Sequence, residues 1–437
     1  MSTSAATLSS SWSHAVASAI RTLGPPAAVA GYTAGFSVLP GEWYHLGWLL
    51  LAGVVSVAFL DGPARWLRRP TTPAVPLLAA YLLWMTLRSC CSEAFVLADA
   101  SREVMRGLFG ASLLVMLCVL LWQVAQDTRA LRMVGWITGL GATFAALISM
   151  GVWYLVLPGP MGGERLRNLL VHGGLNPVCT GLIFGICGLW LLTLAPAAEG
   201  ALARRLVWAS AMVLHLAAFF SGSRGAMLAL VCGHVVLLLA LGWRRGLPGA
   251  AVLAVTALVY FSSAPLMAKI VTWSADPAIV PPPPGITHHW EKAMERGDSG
   301  RGGIYRAGWK AVDNVWLGTG QWGVREVWQR DLRPDPHGMM GHLHSAFFAT
   351  FVHGGIIGGV LLLALLGHAA RCAWRLARQG DATWVALLAF GCGGLFFDGE
   401  SLMSLATAPR FEGLLFWVPV IVALARSSRL TSPPADF

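Results

Sequence analysis

Charged residues are scarce in this chain, and that scarcity excludes a soluble globular domain. Only 12% of the 437 residues are charged and 56% are hydrophobic, whereas soluble domains are about 25% charged. Apolar runs long enough to cross about 30 Å of hydrocarbon recur from end to end. They predict an all-α, polytopic membrane protein with about twelve transmembrane helices, at residues 24–40, 44–60, 73–90, 107–126, 132–157, 172–195, 205–221, 225–243, 247–264, 344–369, 382–397 and 411–426.

Patterned cysteines and a targeting signal are also missing. The eight cysteines lie mostly inside apolar runs, where cysteine behaves as a small hydrophobic residue, and none forms a CxxC pattern. We therefore expect neither a disulfide framework nor a cysteine metal site. The serine-rich start lacks the basic segment and compact apolar core of a cleavable signal peptide. The net charge is +10, but the basic residues do not alternate with aromatic residues as they do on surfaces that bind nucleic acid. No nucleic acid is therefore expected as a partner.

Lysine is nearly absent, with three residues, so arginines determine the predicted orientation. Every second short loop along the chain is rich in arginine. Because cytoplasmic loops carry an excess of basic residues, these loops and both termini are predicted to lie in the cytoplasm. The chain is then predicted to have three parts. Residues 1–262 form transmembrane helices 1–9, residues 263–343 form a periplasmic loop with short helices at 291–296, 304–314 and 324–330, and residues 344–437 form helices 10–12.

Several arginines fall on the other, outer side and oppose this charge bias. A guanidinium group binds phosphate through two parallel hydrogen bonds, so such a set suggests an anionic ligand. The alternative is that each side chain reaches out to lipid headgroups. The set comprises Arg88, Arg102, Arg106, Arg165, Arg167, Arg224 and Arg410.

Two arginines in the outer regions are flanked by small residues. Arg224 stands between Ser223 and Gly225 where two apolar runs meet, and an arginine at this depth is costly unless it is paired. It either binds a phosphate or forms part of a helix hairpin, paired with a carboxylate such as Asp398 or Glu400. Arg301 precedes a predicted helix, where it either faces a ligand together with the helix dipole or is a surface cation.

Histidines crowd the end of the outer loop. His344 stands at the start of a glycine-notched apolar helix, and histidine is the side chain best suited to proton transfer near neutral pH. His337 and His342 lie close by in sequence. The His342-x-His344 spacing also occurs in zinc sites, but a third ligand is not evident beyond the nearby Asp335, so no metal is predicted.

The run Gly318-Thr319-Gly320-Gln321-Trp322-Gly323 matches GxGxxG. No strand–helix–strand unit surrounds it, so a nicotinamide cofactor is not predicted. Two interpretations stay open for this run: a turn that offers backbone N–H groups to a phosphate, or a tight turn required by packing.

In this order, the motifs resemble the O-antigen ligase/polymerase superfamily over roughly residues 165–370. The resemblance rests on Ser223-Arg224-Gly225, on Arg301 followed by Trp309 and Gly318-x-Gly320, and on the pattern His-[Asn/Ser/Gln]-x9-Gly-x-x-Gly. The last pattern is met by His344, Ser345, Gly355 and Gly358. Gly173-Gly174-Leu175-Asn176-Pro177 is similar to a further family feature. The ligase pattern often continues with threonine, where this chain has Gly359, so a polymerase stays an alternative.

The resemblance implies a GT-C type, metal-independent, inverting glycosyltransferase without cofactors in a bacterial inner membrane, with its active site facing the periplasm. The donor would be a glycan on undecaprenyl pyrophosphate, and the acceptor a sugar hydroxyl of lipid A–core, which completes lipopolysaccharide. His344 would take or orient the hydroxyl proton, while Arg224 and Arg301 stabilise the leaving pyrophosphate. Further substrate contacts would come from Arg88, Arg165, Arg167, His337 and His342.

Other functions stay open beside the ligase. A polymerase and a protein O-oligosaccharyltransferase would use the same donor and differ only in acceptor. A transporter of a lipid-linked anion is the alternative from another class. It would be expected to show inverted hydropathy repeats and charges near mid-membrane, whereas the polar residues here collect on one side.

Overall fold

A computed structural model describes residues 3–58, 73–90, 100–156, 165–171, 176–274, 301–320, 343–403 and 410–431, and these residues are helical without any strand. The predicted all-α, polytopic membrane fold is confirmed. The thirteen α-helices in this part of the chain are α1 (Thr3–Val38), α2 (Glu42–Ala58), α3 (Ala74–Cys90), α4 (Ala100–Ala125), α5 (Thr128–Gly151), α6 (Pro177–Leu194), α7 (Ala201–Phe220), α8 (Arg224–Leu241), α9 (Trp243–Ser274), α10 (Arg301–Lys310), α11 (Ala346–Arg378), α12 (Thr383–Phe397) and α13 (Val418–Thr431).

The structure supports eight of the twelve predicted membrane-spanning runs. Among the described helices, eight contain a stretch long and apolar enough to span a bilayer. Three more, in α2, α3 and α12, are apolar but shorter than 18 residues. The first predicted run lies within α1, which begins at Thr3 and contains Pro25 and Pro26. The exact count of twelve stays a prediction.

The outer loop differs in detail from its prediction. The helix expected at 304–314 is α10, which begins at Arg301 and ends at Lys310. It ends early because Asn314 forms a turn, in which its Oδ1 accepts hydrogen bonds from the backbone N–H groups of Trp316 (3.0 Å) and Leu317 (3.2 Å). The helices predicted at 291–296 and 324–330 lie outside the described residues.

Helix α6 lies at the centre of the bundle and is buried along nearly its whole length. A helix that is apolar on every side is expected in such a position. Its start is fixed by Asn176, whose side chain accepts a hydrogen bond from the Val178 N–H at 3.0 Å, and by Pro177 in the first turn. The residue at which α6 begins is therefore fixed by two local signals.

Helix α11 is broken at Gly355, inside a candidate membrane span. Gly355 has φ 64° and ψ −165°, a conformation that residues with a Cβ rarely adopt. The break removes helical partners from the carbonyls before it and from the N–H groups after it. Unsatisfied backbone groups at such a position would cost several kcal/mol each.

The segment Val315–Gly320 supplies the missing partners. The N–H groups of Thr319 and Gly320 donate to the carbonyls of Val352 and His353, each at 2.9 Å. In return, Ile356 N–H donates to the Val315 carbonyl at 2.9 Å. The described part of the GxGxxG run is therefore engaged with α11, which favours the packing interpretation over a phosphate-binding turn.

A substitution at the break should be costly. In Gly355→Ala the added Cβ would collide with the Trp316 carbonyl oxygen and would sit on a left-handed backbone. Strain and overpacking together should lower the free energy of unfolding by about 2–5 kcal/mol. Gly367→Ala is the matched control in the same helix, since nothing lies within 4 Å of its Cβ position. The midpoints of unfolding in SDS should show a large fall for Gly355→Ala only, and equal midpoints would contradict the role given to the break.

Arginines predicted for the outer side and an arginine from the predicted cytoplasmic side lie at opposite ends of the bundle. Arg224 begins α8 and Arg301 begins α10, at the end where α7 and α12 finish. At the other end, Arg426 near the end of α13 contacts Thr128 at the start of α5 and Asp381 between α11 and α12. The separation agrees with the charge bias on which the predicted orientation depends.

Candidate active site

His344 lies just before α11, close to a carboxylate from another part of the chain. Its Nδ1 is 3.6 Å from Oδ1 of Asp398, which follows the last residue of α12. The imidazole is 26% exposed while the Asp398 side chain is only 9% exposed. The pair thus has a buried carboxylate and a ring that a substrate can reach.

The backbone around His344 holds this geometry. His344 has φ 51°, a left-handed conformation that is uncommon for residues other than glycine. The next residue, Ser345, caps α11 by accepting a hydrogen bond from Phe348 N–H at 3.3 Å. Ala346 N–H donates to the Asp398 carbonyl at 3.3 Å, which ties the start of α11 to the end of α12. Strained residues at sites of this kind often have a function.

Tyr305 on α10 connects Arg301 with the His344–Asp398 pair. Its hydroxyl donates to the His344 carbonyl at 3.5 Å, and its ring packs against Phe348 with centroids 4.9 Å apart. Burial raises the pKa of Tyr305 above its ordinary value; Arg301 opposes the shift and Asp398 adds to it. Both charged groups therefore act on one hydroxyl that touches the His344 backbone. Arg301 is the first residue of α10 and does not merely precede it.

Arg224 lies at the same end of the bundle. It begins α8 directly after Ser223, whose side chain accepts a hydrogen bond from Ala226 N–H at 3.2 Å. The Arg224 side chain is exposed. The next residue, Gly225, packs against Phe397, since a Cβ at Gly225 would stand 3.7 Å from the Phe397 Cβ. Asp398 follows Phe397, so the start of α8 lies beside the residue that contacts His344.

The secondary arginines have different surroundings. Arg165 donates through Nε to the Ser221 carbonyl at 2.7 Å, in the turn just before Arg224, and Arg167 is exposed nearby in the chain. Arg88 donates through Nη2 to the Gly318 carbonyl at 2.9 Å, so it contacts the segment that braces α11. His337 and His342 lie outside the described residues.

A second group of charged residues follows Asp398 in the chain. Arg410 forms ion pairs with Glu400 (2.5 Å) and with the buried Glu412 (3.3 Å), and Glu400 N–H donates to Glu412 Oε1 at 2.8 Å. Burial by itself lowers the pKa of Arg410, but Glu412 and Glu400 outweigh it and the pKa is raised. Of the two carboxylates proposed from sequence as partners of Arg224, Asp398 contacts His344 and Glu400 contacts Arg410. The pairing of Arg224 with a carboxylate stays an open alternative.

Two residues of this site were not identified from sequence as acting with His344. The sequence suggests Asp398 only as a partner for Arg224 and does not single out Tyr305. Acidic residues at the end of an apolar run are rare and usually functional, so Asp398 had a usable signal. Tyr305 had none, because only the fold of the outer segment brings it to His344.

A metal-ligand cluster of three or more histidine, cysteine, aspartate or glutamate residues is not found in the part of the chain that the structure describes. The predicted His342-x-His344 fragment is only partly within that part, since His342 lies outside it.

Together, the helical bundle and this end cluster define a polytopic membrane protein with a candidate acid–base and anion-binding site. Residues 182–363 match the family model described as O-antigen ligase. This segment belongs to the O-antigen ligase family, and the resemblance inferred from the motifs is confirmed. The match includes Arg224, Arg301 and His344 but ends before Asp398. No curated protein matches the chain.

Proposed function

We propose that this protein is an O-antigen ligase, a metal-independent glycosyltransferase of GT-C type in the bacterial inner membrane. It transfers a glycan from undecaprenyl pyrophosphate to a sugar hydroxyl of lipid A–core on the periplasmic face. Membership of the ligase family supports ligase- or polymerase-type chemistry in general. The observation that supports the site is the contact of His344 with Asp398 beside Arg301 and the start of α8.

The proposed reaction is a direct displacement at the anomeric carbon. The acceptor oxygen forms the new bond on one face as the bond to the pyrophosphate oxygen breaks on the other, so the configuration inverts. The bonding electron pair leaves with the pyrophosphate, and the hydroxyl proton passes to the His344 imidazole. Asp398 would stabilise the resulting imidazolium, because an opposite charge nearby favours the charged form.

Arg224 and Arg301 have the chemistry to stabilise the leaving group. The pyrophosphate gains negative charge as the bond breaks, and fixed cations directed at developing charge usually supply a large share of catalysis. Both substrates are lipids in one leaflet, so a site at the end of the bundle can hold them close and replace a diffusive encounter with proximity. Arg165 donates to the Ser221 carbonyl in the turn before Arg224 and would extend the anion site.

Asp398→Asn should lower kcat by roughly 5- to 20-fold, the equivalent of about 1–2 kcal/mol for loss of one partly screened charge interaction. The KM for the lipid-linked donor should change little, because Asp398 acts on His344 and not on the pyrophosphate. Steady-state ligation with purified protein measures both constants. A raised donor KM at unchanged kcat would contradict this positioning role.

Transfer by the purified enzyme should be unchanged in EDTA, because the proposed site neutralises the pyrophosphate with arginines. Ligation rates are compared with and without excess chelator after dialysis. Loss of activity in EDTA, restored by one divalent ion, would refute metal independence.

Deletion of the gene distinguishes ligase from polymerase. Loss of a ligase should leave lipid A–core without O-antigen while polymerised glycan accumulates on its lipid carrier. Loss of a polymerase would instead leave single repeats attached to lipid A–core. Intact lipopolysaccharide together with loss of glycan from a secreted protein would favour a protein O-oligosaccharyltransferase.

A further inference from the structure

A cavity of about 730 Å³ opens at the end of the bundle opposite His344. It is bordered by the end of α6, the start of α7, the junction of α8 with α9, and the link between α11 and α12. Its volume falls within the roughly 300–1,000 Å³ typical of small-molecule sites. Its charged lining residues are Arg132, Arg204, Arg245, Arg426 and Asp381.

The positive charge of this cavity is only partly balanced. Asp381, the one carboxylate among its lining residues, is 3.5 Å from Arg426 Nη2 and accepts a hydrogen bond from Trp384 Nε1 at 3.1 Å. Arg426 Nε is buried without a hydrogen-bond partner among the described residues. Three further guanidinium groups remain at the lining, and guanidinium clusters bind phosphate.

The rest of the lining is apolar. Trp190, Trp208, Leu237 and Leu241 line the cavity, and the Trp190 ring packs edge-to-face against Trp384 with centroids 5.8 Å apart. Tryptophan and arginine together are typical of the boundary between hydrocarbon and headgroups. The ligand that matches such a lining has an anionic head and an apolar body.

We propose that this cavity binds the headgroup of an anionic phospholipid, with the phosphodiester on Arg204 and Arg245 and the acyl chains in the surrounding bilayer. Basic pockets between helices on the cytoplasmic side are suited to anionic lipid headgroups, and the arginine bias assigns this end to the cytoplasm. The site is independent of the proposed glycan transfer, which takes place at the other end of the bundle.

Lipid retention on the delipidated full chain tests this site by native mass spectrometry. Phosphatidylglycerol should bind at least tenfold more tightly than phosphatidylcholine of the same acyl chains. The double variant Arg204→Gln/Arg245→Gln should lose at least tenfold in phosphatidylglycerol affinity. Arg205→Gln/Arg244→Gln is the matched control, because these exposed arginines are sequence neighbours outside the cavity lining, and its affinity should stay within twofold of wild type.

Other outcomes would overturn the proposal. Equal losses in the two double variants would mean that the lipid adsorbs to a basic surface. Binding of glycerophosphoglycerol, which lacks acyl chains, as tightly as the lipid would indicate a site for a free phosphate ester.

Arg204 and Arg245 are exposed, so neither substitution should lower Tm. If the double variant is unstable, each single variant should still lower lipid affinity at least threefold, and unchanged affinity in both would refute the site.

Discussion

Glycan transfer by the His344→Ala protein is expected to fall by at least about 100-fold, within the range of about 10²–10⁴ for loss of a general acid or base. His344 supplies the partly exposed imidazole of the pair with Asp398, so this substitution removes the proposed proton acceptor. The measurement is single-turnover ligation with purified lipid-linked donor and lipid A–core. Insertion and expression should match those of the natural sequence.

Two variants separate loss of the imidazole from loss of the fold. His344→Asn keeps a residue that tolerates the left-handed backbone at φ 51°, and it should be as inactive as His344→Ala with an unchanged Tm. His368→Ala, in the distal half of α11, is a matched histidine control and should retain activity. Ligation at the natural rate by both His344 variants would remove the imidazole from the mechanism.

Arg224→Ala and Arg301→Ala should each lower kcat at least about 100-fold, the scale seen when one donor to a developing negative charge is removed. Lysine at either position should recover only part of the rate, because an ammonium group lacks the planar two-point hydrogen bonding of guanidinium. The assay is transfer under saturating donor, with donor affinity measured separately.

Arg306→Ala is the matched control for Arg301→Ala. Arg306 lies on the same helix, is exposed and has the same charge, so a general electrostatic effect of α10 on the donor would appear in both variants. Only Arg301→Ala should lose activity. Full activity of both the Arg224 and Arg301 variants would mean that the pyrophosphate is bound elsewhere.

Much of the fold was readable from sequence because long apolar runs require backbone hydrogen bonds to be made within helices. The run at 225–243 matches α8, and the run at 382–397 matches α12, each within one or two residues. The number of membrane spans was harder to predict, because α1 and the shorter apolar helices are not clearly separated by hydropathy from helices that do not span. Helix α10 spans Arg301–Lys310 and not 304–314, because the turn formed by Asn314 ends it early.

The site was partly readable for a different reason. His344, Arg224 and Arg301 stand in recognisable local motifs, so each was found without knowing its neighbours. Their relation to Asp398 and Tyr305 depends on contacts between α10, α11 and α12, which no spacing in the sequence encodes. Likewise, the partner of Arg88 is a carbonyl 230 residues away along the chain.

The break at Gly355 divides α11 into two segments that are not joined by a continuous helical backbone. An unbroken helix turns by about 100° for each inserted residue, so a change anywhere along it would rotate both of its ends relative to each other. Here the short segment after His344 accepts hydrogen bonds from Thr319 and Gly320 and is tied to Asp398 at its start. The long segment begins with a hydrogen bond from Ile356 to Val315 and then packs against the rest of the bundle. Because the break interrupts the helix, a residue added to the distal segment should leave the orientation of the imidazole unchanged.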